Sequence, residues 1–135
     1  MKTIENFVAE NQITMRAEWS DTNPNMEEGN MDHWKCIFFR KDGTTTRQMI
    51  VYFSMGYGHK GTPPDVESVL DCLASDSASI VNADSFEDWT SELGYDEDSR
   101  RAERTYNACF KLGQKLGKFL GDNLFNELLW DTERA

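Results

Sequence analysis

The chain has 135 residues, 39% of them hydrophobic, with four tryptophans and a net charge of −10. That composition suits one folded domain with a real core and excludes a disordered acidic tail. No apolar run approaches the roughly 18 residues needed to cross a bilayer. The stretch MKTIENFVAENQ carries Glu5 and Glu10 where a secretory leader needs apolar residues, so a soluble, cytoplasmic protein is expected.

In chain order, Thr3 to Glu10 predicts a short helix with Ile4, Phe7 and Val8 on one face. Ile13, Met15, Ala17 and Trp19 then alternate with Thr14, Arg16 and Glu18, the period of a half-buried strand. The polar stretch SDTNPNMEEGN reads as a long connection. His33 to Lys41 predicts a second strand with Trp34, Cys36 and Phe38 on one face, and Arg47 to Met55 a third. Asp42-Gly43 between them signals a hairpin.

After Pro64 the period becomes helical, with Val66, Val69, Leu70 and Leu73 on one stripe. Thr62, Pro63 and Asp65 fit its N-cap, first-turn proline and capping-box partner. A second helix begins at Ser85, buries Phe86, Trp89 and Leu93, and stops at Gly94. A third opens at Asp96-Glu97-Asp98-Ser99 and runs to about Leu120 on the stripe Ala102, Tyr106, Cys109, Gly113, Leu116 and Leu120. Leu124 to Trp130 is a terminal helical piece.

Gly56, Gly58 and Gly61 spell GxGxxG, the spacing of a dinucleotide-binding turn. Such a turn needs its third glycine inside the helix that follows, and a parallel strand after that helix. Here Thr62-Pro63-Pro64 follows Gly61, and Ser79-Ile80-Val81 is too short to be the strand. The loop reads as a sheet-to-helix corner with His59 and Lys60 solvated at its tip, and no cofactor is assigned.

Three widely spaced cysteines, Cys36, Cys72 and Cys109, suit reduced thiols better than a disulfide framework. His33 and Cys36 are three apart on a predicted strand and point to opposite faces. No paired CxxC or HxxxH spacing is present, so no metal is expected. Neither His33 nor His59 can be placed beside a thiol to activate it, and plentiful carboxylates are not a tuned pair. No catalytic residue is assigned, and the chain is expected not to be an enzyme.

The charge imbalance sits in one block. Thr62 to Ser99 holds eleven acids and no Lys or Arg, leaving fourteen basic and thirteen acidic residues elsewhere. Several of these acids, among them Asp65, Asp88 and the trio at 96–98, fall in first turns of helices, where carboxylates favour the dipole. The candidate partner-binding set is Asp71, Asp76, Asp84, Glu87, Glu92, Asp96 and Glu97. A rigid anionic face of this kind suits a cationic groove that normally holds nucleic acid. The competing set is a basic stripe on the third helix, Arg104, Lys111, Lys115 and Lys118, which would bind a phosphate backbone directly. An overall charge of −10 disfavours that, so direct nucleic-acid binding is the alternative. Gly113, Gly117 and Gly121 recur every four residues and predict close approach of the protein's own sheet or a neighbouring helix, with a homodimer seam second.

SFEDWTSELGYDEDSRRAERTYNACFKLGQKLGKFLG (Ser85 to Gly121), the preceding PPDVESVLDCLASD and the earlier NFVAENQITM resemble a group of small phage and prophage proteins with a similar carboxy-terminal half. The resemblance implies a phage context and transfers no catalytic residue. By analogy of size, acidity and origin, it implies an inhibitor of host defence of the anti-CRISPR or antirestriction kind, acting in the host cytoplasm.

The sequence therefore predicts a single α+β domain over residues 1–135. An antiparallel sheet of three to four strands is followed by three to four helices packed on one face. The expected function is non-enzymatic inhibition of a nucleic-acid-handling host complex through the acidic face, as a monomer or homodimer and with no membrane partner. The alternative is an accessory factor of phage nucleic-acid metabolism that binds DNA or a replication protein through the basic helix.

Overall fold

Thr3 ends a two-residue extended segment, β1 (Lys2–Thr3), and its hydroxyl accepts the Asn6 amide at 3.1 Å. That cap starts helix α1 (Ile4–Glu10), whose Ile4, Phe7 and Val8 are buried. The computed structural model describes residues 2–20, 33–53, 63–82, 86–93 and 100–133. It divides into two compact units, Lys2–Leu70 and Asp71–Ala135, with the division inside a continuous helix rather than at a linker.

The first unit is built on an antiparallel sheet of β2 (Thr14–Ser20), β3 (His33–Asp42) and β4 (Thr45–Phe53), in that order. This is the predicted α+β class, with the sheet in the amino-terminal half and helices after it. Register places Ala17, Cys36 and Val51 side by side, with Met15, Phe38 and Met49 in the next row. Trp34, Cys36 and Phe38 are buried, so alternation on β3 marks the core face as predicted, and Met49 and Val51 of β4 are buried beside them. Trp19 meets Trp34 edge-to-face across the β2–β3 pair, with centroids 5.1 Å apart.

Alternation misses Ile37, which points to the opposite face and is only 4% exposed. As the central strand, β3 has Arg16 and Ile50 directly beside Ile37 in the register. The β3–β4 hairpin closes with the two-residue loop Gly43-Thr44, and Gly43 has φ +66°. Glycine with positive φ at the first central position fits a type II′ turn, which matches the twist of its strands. Arg47 Nε donates to Asp42 Oδ2 at 2.9 Å across the end of the hairpin.

The first helix after the sheet, α2 (Val66–Asn82), starts later than the capping pattern predicts. Asp65, not Thr62, is its cap: Asp65 Oδ1 accepts the Ser68 amide at 3.1 Å. The reason is local sterics, since a residue before proline is driven out of the helical region. Pro63 and Pro64 therefore hold the chain non-helical until Asp65. The hydrogen bond to Ser68 keeps the Asp65 carboxyl below its ordinary value. Ser79-Ile80-Val81, weighed above as a strand, is part of α2. The Gly56–Gly61 loop, with His59 and Lys60, lies outside the described residues.

The second unit continues with α3 (Phe86–Leu93), α4 (Arg100–Leu120), α5 (Asp122–Asn126), a π-helical turn (Glu127–Asp131) and β5 (Thr132–Glu133). Trp89 is 1% exposed and meets Tyr106 of α4 edge-to-face at 5.3 Å, while Phe86 meets Tyr106 in the same way at 5.2 Å. Three aromatic rings thus join α3 to α4. Gly121, with φ +83°, breaks α4 and lets α5 begin. Among the described residues, no helix is long and apolar enough to cross a membrane.

Candidate functional site

The longest helix, α4, carries two opposed faces because its apolar and basic residues both follow the helical period. Ala102, Leu116 and Leu120 are buried and Tyr106, Cys109 and Gly113 half-buried, as the predicted stripe requires. At 100° per residue, Arg104, Lys111, Lys115 and Lys118 fall within about 60° of one another on the far side of the axis. All four are exposed. They span about 21 Å along the helix.

Beside this row runs a second one that sequence reasoning missed. Asn107, Phe110 and Gln114 are all exposed, and Phe110 retains 45% of its surface to solvent. Phe110 lies off the apolar stripe by its spacing, which was the available signal. Glu103, also exposed, lies at the amino-terminal end of that row.

Glycines on α4 sit at ordinary packing distances. A Cβ added to Gly113 would lie 3.6 Å from Ser77 Oγ of α2, and one on Gly117 would lie 3.9 Å from Phe125 of α5. The predicted helical neighbours are present. They approach no more closely than a methyl group allows.

The acidic set is less concentrated. Asp71 and Asp76 both lie on α2, five residues apart and so about 140° apart around its axis. Asp71 is half-buried, and its Oδ1 is buried with no hydrogen-bond partner among the described residues. Glu87 is exposed on the first turn of α3. Glu92 belongs to α3, but its side chain lies outside the described residues, as do Asp84, Asp96 and Glu97 altogether. Among the described residues, Asp71, Asp76 and Glu87 form no ion pair.

Asp76 acts at the α2–α4 seam. Although it keeps an open surface, desolvation holds its carboxyl above the ordinary value. Burial, and then the charge of Asp76, push the Cys109 thiol up to about 11. Cys72 is raised by desolvation and then by Asp71 and Asp76, and burial alone pushes Cys36 up to about 11. A reactive thiol needs the opposite environment, one that favours thiolate. Among the described residues, no three of His, Cys, Asp and Glu are grouped to hold a metal ion.

Comparison of the chain with protein-family models, curated proteins and solved structures yields no match.

Proposed function

We propose that this protein is a non-enzymatic accessory factor of phage nucleic-acid metabolism that binds nucleic acid through the outer face of α4. The observation that carries the reading is the arrangement of Arg104, Lys111, Lys115 and Lys118, four exposed cations in one row on one helix. The overall charge of −10 opposes approach of a polyanion. That opposition is strongest from the segment 62–99, whereas the contacts themselves are set by local charge within about a Debye length, roughly 8 Å at physiological salt. The phage context is part of this proposal and rests on the likeness read from Ser85 to Gly121 of the sequence. The test is a gel-shift and salt titration with Lys111→Glu/Lys115→Glu, which should abolish binding while leaving the circular dichroism and melting temperature intact. Unchanged binding in that variant sinks the reading.

A second reading is favoured by Asp71, Asp76 and Glu87, which have no cationic partner among the described residues. In it, α2 and α3 dock on the basic groove of a nucleic-acid-handling host complex, as an inhibitor of host defence does. Asp71→Lys with Glu87→Lys should then release the host complex in a pull-down, and retention of the complex by a folded variant argues against it.

A further inference from the structure

We infer that α4 takes single-stranded rather than duplex nucleic acid, with Phe110 as the platform on which a base stacks; this rests on the α4 reading above. The cationic row and the row of Asn107, Phe110 and Gln114 run side by side along α4, about 75° apart, which is about 7 Å across the helix surface. A phosphate held on the first row therefore leaves its base over the second. There, an exposed phenyl ring offers a π-face that any base can use, and two exposed amides offer donors and acceptors to a base edge.

A duplex uses this arrangement less well. Its bases are already stacked and paired, so Phe110 reaches a base face only if a base step is unstacked, at a cost of about a few kcal/mol, whereas a single strand offers its bases at no such cost. Charge alone fits either form, and the exposed ring beside the charges decides between them. Glu103 disfavours phosphate at the amino-terminal end of the second row, which keeps the backbone on the cationic side.

The experiment is fluorescence anisotropy with a labelled oligodeoxythymidine and a labelled duplex of equal length, read across a salt series. The single strand should bind more tightly. Four phosphate contacts give a slope of log affinity against log salt of about −2.8 for the single strand. Phe110→Ala should weaken single-strand binding about tenfold, within the range for loss of one base–aromatic stack, and leave the duplex unchanged. Phe110→Tyr should restore it, since the ring is kept. If Phe110→Ala binds the single strand as well as the parent while Lys111→Glu/Lys115→Glu does not bind, the stacking inference falls and the α4 reading stands. If the lysine variant still binds, or the parent binds neither form, the α4 reading falls and takes this inference with it.

Discussion

The buried indole of Trp89 donates through Nε1 to the hydroxyl of Ser79 at 3.2 Å, and Ser79 in turn donates to the Asp76 carbonyl at 2.7 Å. This short chain ties α3 to the last turns of α2. It satisfies the one polar atom of a side chain that is otherwise enclosed.

Ser79→Ala removes the acceptor and leaves a buried N–H unmatched, at a cost of about 1–3 kcal/mol. Urea denaturation should show a lower midpoint with an unchanged slope. A midpoint equal to that of the parent would mean that another group accepts the indole N–H.

Helix α4 holds two internal glycines with room for a methyl group. Gly113→Ala and Gly117→Ala should each stabilise the protein by about 0.5–1 kcal/mol, because alanine is the better helix former and restricts the unfolded chain. Gly121→Ala should do the reverse, since φ +83° strains any residue with a side chain. Melting temperatures of the three variants give the signs directly, and a loss at Gly113 would show that the α2–α4 contact is tighter than 3.6 Å implies.

Asp65 and Asp76 should give opposite pH responses. The Asp65 carboxyl is held low by its bond to Ser68, so its contribution is present above the unfolded carboxylate value and is lost as pH falls through the folded one. Asp65→Ala should cost about 1 kcal/mol at neutral pH, as loss of an N-cap does, and less in acid. The Asp76 carboxyl is held high by desolvation, so its contribution is present in acid and is lost as pH rises through its folded value. Asp76→Asn should therefore stabilise at neutral pH, with the gain fading on acidification. Stability curves from acid to neutral pH test both signs.

The same carboxylate raises two thiols. Asp76→Asn should lower the titration midpoints of Cys109 and Cys72, read as faster alkylation by iodoacetamide at a fixed alkaline pH. Cys36, whose shift comes from burial alone, should not respond. A uniform change in all three would indicate loosened packing instead.

Much of the fold was legible because side-chain period reports burial. Trp34, Cys36 and Phe38 alternate and are buried, and Ala102, Leu116 and Leu120 recur at helical spacing and are buried. Ile37 was not legible, because strand order, which decides whether a second face is covered, is not a local property. The α2 cap was misplaced because Thr62, Pro63 and Asp65 all suit helix starts, and the prolines' effect on preceding residues decided among them. For the site, the cationic row was readable from spacing alone. Phe110 was readable in the same way, since its spacing sets it off the apolar stripe, but an aromatic residue in an amphipathic helix is assigned to the core unless that angle is worked out. The acidic residues formed one block in sequence, yet Asp71 and Asp76 diverge around α2, because proximity along a helix is not proximity on its surface.

The Gly43-Thr44 turn also bears on the entropy of closing the sheet. Nine residues of β4 lie opposite β3 across a two-residue loop, so this pairing needs almost no loop closure. Hairpins of this kind form in about 1–10 μs. β2 must instead close the connection between Ser20 and His33 before its first pair with β3 forms, a larger entropic cost. The hairpin thus pairs at the smaller closure cost, and doubling the length of the 21–32 connection should lower the stability of the sheet by only about 0.6 kcal/mol.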